Sequence, residues 1–173
     1  MTEAASSGLA RLNALEESEA HAALLRCCGS TRWVKAMLAE RPFAGEASLL
    51  STADRLWDET GPEDWREAMT HHPRIGERQL REKFAATAGW SNQEQRGVTE
   101  AGEDVLKGLA DGNRAYEEKF GFIFLVCATG KSAAEMLDLL RARMGNDRET
   151  ELRVAAGEQK KITRIRLEKL LAE

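Results

Sequence analysis

Signals that start and stop helices recur along almost the whole chain, with apolar residues three and four apart between them, so the sequence points to a protein built of helices. Asn13 followed by Glu16 has capping-box spacing ahead of "ALEESEAHAALLRCC", and Gly29 stands where a helix C-cap belongs. Trp33, Val34, Met37 and Leu38 mark a short amphipathic piece, and beyond Pro42 the set Leu49, Ala53, Leu56 and Trp57 marks another. Pro62 sits at a first-turn position before "EDWREAM". "RQLREKFAATA" continues the pattern, followed by a long segment from Ser91 to about Lys119. Gly97, Gly102 and Gly108 each weaken that segment by roughly 1 kcal/mol relative to alanine, which calls for a kink or close packing. Ser132 and Glu135 repeat the capping-box spacing before "MLDLLRARM", and a last helix covers roughly Glu149 to Leu171.

One run departs from this pattern. "FGFIFLVCA", Phe120 to Ala128, is nearly continuous apolar with Gly121 and Gly130 at its ends, the pattern of a buried strand, yet no partner strand is evident. Its backbone N–H and C=O groups need other partners, a ligand among them. The expected architecture is therefore all-α, a single-domain bundle of about eight helices over residues 1–173, with one buried extended segment at Phe120 to Ala128.

Composition removes several classes of function. With 173 residues and 42% hydrophobic content, the chain suffices for one proper core. The net charge of −4 comes from interspersed acidic and basic residues, which speaks against a nucleic-acid partner. Cys27 and Cys28 are adjacent and Cys127 is remote, so neither a disulfide framework nor a structural zinc site is indicated. No stretch approaches the roughly 18 to 20 apolar residues of a membrane span, and no leader pattern opens the chain. A cytoplasmic protein is expected, with no membrane partner.

The candidate chemistry lies in "MTHHPRIGERQ". His72 precedes Pro73, which pushes its backbone towards the extended region and holds the side chain on a stiff corner, a suitable mount for an acid or base. The alternative is an exposed turn histidine. His71 and His72 tend to point opposite ways in an extended segment, and further ligands at metal-binding spacing are lacking, so no metal site is expected. In "WSNQEQ", Glu94 stands three residues after Ser91, where it either completes a capping box or orients His72 and stabilises its imidazolium. Arg166 in "KKITRIRLEKLL" is either a surface charge or a cation at a pocket edge beside the stripe of Ile162, Ile165 and Leu170.

Four segments in order, "HPRIGE", "WSNQEQ", "KFGFIFLVCATGKSAAEML" and "AAGEQKKITRIRLEKL", with "CCGSTRWVKAM" near the front, closely resemble the OHCU decarboxylase family. The resemblance runs from about Leu12 to Leu170. It implies decarboxylation of 2-oxo-4-hydroxy-4-carboxy-5-ureidoimidazoline (OHCU) to (S)-allantoin in urate breakdown, without metal or other cofactor, in a homodimer of the free-standing bacterial type. It places the family's catalytic histidine on His72, its glutamate on Glu94 and the arginine of its terminal helix on Arg166, with Arg164 and Arg143 as rivals. It further implies that Pro73, Ser91, Gln95, Phe122 and Ile123 contact substrate, the last two through the backbone of the "FGF" segment. A helical interaction module and a cyclic-ureide hydrolase on the same scaffold remain the competing readings.

Overall fold

Serine side chains open helices where the sequence offers them. The Oγ atoms of Ser6, Ser30 and Ser132 accept hydrogen bonds from the backbone N–H groups of Leu9 at 3.2 Å, Trp33 at 3.2 Å and Glu135 at 3.1 Å, each satisfying an otherwise orphaned donor of a first turn. The computed structural model describes residues 6–73 and 94–173, with the side chains of 94–101 left aside. Eight helices lie among the described residues: α1 (Ser7–Ala14), α2 (Glu17–Cys27), α3 (Thr31–Ala39), α4 (Glu46–Asp58), α5 (Pro62–Thr70), α6 (Glu94–Phe120), α7 (Ala133–Arg143) and α8 (Arg148–Ala172). The expected all-α class is the class found. The segment "RQLREKFAATA" lies outside the described residues.

Two details at the first helices differ from expectation. Asn13 is inside α1 rather than capping the next helix, and its side chain pairs with the backbone of Phe43, accepting at 2.9 Å and donating at 3.0 Å. An amide can satisfy an N–H and a C=O of a remote loop together, which a local spacing pattern does not anticipate. The C-cap of α2 is Cys28, not Gly29.

The described residues divide into two compact units, residues 1–72 with 156–173, and residues 73–155. In the first, the apolar stripes read from the sequence form the core: Leu9, Leu24, Trp33, Val34, Met37, Leu49, Ala53, Leu56, Trp57 and Leu167 are all buried. Two indole N–H groups inside this core donate to helix carbonyls, Trp33 to Ala53 at 3.1 Å and Trp57 to Ala156 at 3.0 Å. Burial of these rings therefore leaves no donor unpaired.

In the second unit, α6 packs on α7 through Leu109, Ala110, Met136, Leu137 and Leu140. A Cβ at Gly108 would lie 3.2 Å from Leu137 Cδ2, and one at Gly112 would lie 2.9 Å from Leu140 Cδ2. Close helix approach, rather than a kink, accounts for glycine at Gly108. The run after α6 is not extended from its start: Phe120 is still helical, Gly121 turns the chain at φ 80°, and residues 123–128 follow as non-helical chain without strand pairing. Part of its backbone demand is met by side chains, Arg143 donating to the Leu125 carbonyl at 2.7 Å and Lys131 to the Cys127 carbonyl at 2.8 Å.

Arg143 is the centre of a buried polar knot. Its guanidinium meets Glu151 Oε1 at 2.5 Å, Tyr116 donates its hydroxyl to the same carboxylate, and Asn146 donates to the other oxygen at 3.0 Å. The cation also lies 4.7 Å from the centre of the Phe124 ring. Glu151 is fully buried, so removing its cation strands a charge in a poorly solvated site. Arg143→Met is expected to cost about 3–5 kcal/mol, the usual consequence of breaking a buried pair from one side. Urea denaturation checks this, and a midpoint close to that of the parent protein would contradict it.

Candidate active site

The histidine turn is fixed by the end of α5. The N–H groups of His71 and His72 donate to the carbonyls of Ala68 at 3.2 Å and Met69 at 3.1 Å, closing the helix, and Pro73 then blocks its continuation. The Glu67 carboxylate accepts from the Thr31 N–H at 2.7 Å and the Thr31 hydroxyl at 2.9 Å, so the last turn of α5 is tied to the first turn of α3. The His71 ring lies against Gly29, where any Cβ would fall 2.4 Å from its Cγ. Glycine is required there by that ring. His71 thus packs on the chain ahead of α3.

His72 is half-buried and turned towards α8. Its Nε2 lies 2.5 Å from Gln159 Oε1, and Gln159 Nε2 donates to Thr163 Oγ1 at 2.9 Å. The Thr163 hydroxyl in turn hydrogen-bonds the Cys28 thiol. Gln159 is 1% exposed and Thr163 5%, so this is a buried polar chain whose members satisfy one another. The Gln159 amide nitrogen is committed to Thr163, and its oxygen faces His72 Nε2.

Burial pushes the His72 pKa below its ordinary 6.5; the Gln159 hydrogen bond works the other way, and the neighbouring Arg166 and His71 lower it further. Burial thus favours the uncharged ring. Cys27 and Cys28 are buried behind this turn, and desolvation lifts both thiols to about 11, which keeps them uncharged and unreactive.

The three candidate arginines have separate fates. Arg143 belongs to the buried knot of the other unit. Arg164 is exposed, with Asp54 at 3.7 Å and Glu168 at 3.6 Å. Arg166 is half-buried, donates to the Arg26 carbonyl at 3.3 Å and bears on His72 electrostatically. It shares a face of α8 with Gln159 and Thr163, being four and three residues along at each step.

Pro73 follows His72 and is exposed. Ser91 lies outside the described residues, as do the side chains of Glu94 and Gln95, whose backbones open α6 as described. Phe122 and Ile123 fall in the second unit; Phe122 is buried with its ring 5.9 Å from those of Tyr116 and Phe120, and Ile123 is half-buried. Gln159 and Thr163 were not among the residues expected at the site. Their signal was present in "EQKKITRIRL", where positions 159, 163 and 166 place polar groups on one helical face, but only the fold shows that the face is buried against a histidine.

The OHCU decarboxylase family model matches residues 13–168. This chain belongs to the OHCU decarboxylase family. It is similar to a uric acid degradation bifunctional protein of Arabidopsis thaliana, 35% identical over 150 residues that make up 85% of this chain and 46% of the plant protein, so it spans just under half of that relative. It is 31% identical to the mouse 2-oxo-4-hydroxy-4-carboxy-5-ureidoimidazoline decarboxylase over 79% of this chain and 76% of that one. Among solved structures, an OHCU decarboxylase crystallised in the presence of (S)-allantoin superposes with a TM-score of 0.70 at 33% identity, covering 92% of this chain and all of the other. Among the described residues, no helix of this family member is long and apolar enough to cross a membrane.

The lowered His72 pKa has a measurable consequence for stability. Below the ordinary value of 6.5 the unfolded chain takes up this proton before the folded one does, so the His72 contribution is complete above that pH and is lost as pH falls from there towards the folded pKa. Denaturation midpoints compared at about pH 7.5 and about pH 5.5 should fall less in His72→Gln than in the parent protein. An equal fall in both would contradict the buried, neutral state.

Proposed function

We propose that His72 is the acid–base group of an OHCU decarboxylase that yields (S)-allantoin, acting with Glu94 and Arg166 and without a cofactor. The reaction is the one for which the family is named, a decarboxylation in urate degradation. The observation that supports the residue assignment is the half-buried His72 on its rigid turn, with Nε2 2.5 Å from Gln159 Oε1 and with Arg166 on the same face of α8 as that glutamine.

The chemistry asks for little beyond positioning and proton control. Heterolysis of the bond to the carboxylate releases CO₂, and the electron pair flows into the adjoining C=N of the substrate, whose nitrogen takes a proton. The resulting enol then loses its hydroxyl proton and gains one at the neighbouring ring carbon, becoming the carbonyl of allantoin. One proton is consumed overall. His72 Nδ1 is suited to receive and return the proton of the second step, and protonation from one face sets the S configuration.

Glu94 stabilises the imidazolium formed in transit, and Arg166 holds an anionic or carbonyl oxygen through its forked donors. Pro73, Ser91, Gln95 and the backbone at Phe122 and Ile123 are assigned to substrate contacts. Positioned acid–base groups contribute about 10² to 10⁴ in rate, so orientation and electrostatic preorganisation supply much of the remainder. The working form proposed is a cytoplasmic homodimer acting on a small molecule, with neither nucleic acid nor membrane as partner.

Generating the labile substrate in place from urate tests this reading. The protein should accelerate CO₂ release and give optically active allantoin, whereas a cyclic-ureide hydrolase releases no CO₂ in its own step. Glu94→Gln should lower turnover by at least about a hundredfold, on the acid–base scale, with stability changed by under about 1 kcal/mol. A Glu94→Gln enzyme that forms (S)-allantoin at the parent rate would return that residue to helix capping.

A further inference from the structure

The position of Gln159 is more constrained than packing requires. Its side chain is buried on α8, its nitrogen is consumed by Thr163 at 2.9 Å, and its oxygen is aimed at a single group, His72 Nε2 at 2.5 Å. A buried glutamine with only a packing role would be satisfied equally well by backbone groups. Here both ends of the amide contact side chains, His72 at one and the Thr163 hydroxyl at the other.

We infer that Gln159, braced by Thr163, is a positioning residue that holds His72 as its Nε2-protonated tautomer and so makes Nδ1 the nitrogen that exchanges protons with the substrate. This rests on the reading of His72 as the acid–base group. A neutral imidazole has one donor and one acceptor nitrogen, and whichever bond is fixed at one nitrogen decides the role of the other. The choice of an amide also matters. A carboxylate in the same place would orient the ring equally well but would draw a proton onto it, whereas an amide oxygen orients the ring and leaves it uncharged. The enzyme then meets its substrate with a base rather than an acid.

Among the described residues, the charged and titratable groups that bear on His72 are Arg166 from α8 and His71 on its own turn, and both oppose protonation. Cys28, at the far end of the hydrogen-bond chain, is neutral. The Gln159 amide is the uncharged group on α8 that meets Nε2.

Nitrogen-15 NMR on histidine-labelled protein reads the tautomer without any turnover. In the parent protein His72 should show a protonated Nε2 and an unprotonated Nδ1 at neutral pH. Gln159→Glu should raise the His72 titration by at least about one pH unit and carry the acid limb of kcat/KM with it. Gln159→Met should leave a mixture of tautomers and lower kcat by about tenfold or more, with KM nearly unchanged. Thr163→Val should move in the same direction by less, and serves if Gln159→Glu does not fold.

An Nδ1-protonated ring in the parent protein would overturn the inference, as would a Gln159→Glu enzyme whose titration and acid limb stay in place. Those results leave the assignment of His72 as acid–base group standing. The expected tautomer in an enzyme whose His72→Asn variant still forms (S)-allantoin at the parent rate would instead overturn that assignment, and this inference with it.

Discussion

A buried polar group must find a partner, and both units of this protein are organised around that constraint. In one, the polar face of α8 is covered, and Gln159 and Thr163 are tolerated there because His72 and Cys28 complete their bonds. In the other, Arg143 is buried because Glu151, Tyr116 and the Leu125 carbonyl surround it. The apolar cores are ordinary. The polar chains select which turn faces which helix, since sliding either element would leave several donors and acceptors unmet.

The helices were legible because their apolar residues carry the period and their ends carry chemistry. Ser132 caps α7 and Pro62 opens α5 as the sequence implies, and every apolar residue assigned to the stripe of α4 is buried. Local pattern was misleading where a side chain serves a distant partner. Asn13 has the spacing of a cap, yet its amide is claimed by Phe43 across the first unit. The apolar run at Phe120 to Ala128 looked like a strand seeking a ligand. Two of its carbonyls are instead served by Arg143 and Lys131, which lie later in the chain and carry no mark of that role in the sequence.

The candidate site was legible in a different way. His72 and Arg166 were singled out by a rigid turn, a helical stripe and a family resemblance, and the structure places both in the first unit with an electrostatic connection between them. The same structure separates the rival arginines by environment, one buried in an ion pair and one on the surface. Gln159 belongs to no capping motif or apolar stripe that the sequence sets apart. Its importance depends on burial, which no single-chain pattern states. The doubled histidine also acquires a division of labour: His71 is the packing residue that requires glycine at position 29, and that contact steadies the turn carrying His72.

The proposal that joins these arrangements is of an uncharged imidazole on a fixed corner, carrying the proton that turns a decarboxylated ring into one enantiomer of allantoin. Its most direct test is a comparison of His72→Asn with the parent protein, OHCU being generated in place from urate while CO₂ release and the optical activity of allantoin are followed together. The variant is expected to fold and, whatever its rate of CO₂ release, to yield allantoin without optical activity. Rapid CO₂ release with (S)-allantoin from His72→Asn would contradict it and move the proton-handling group elsewhere in the chain.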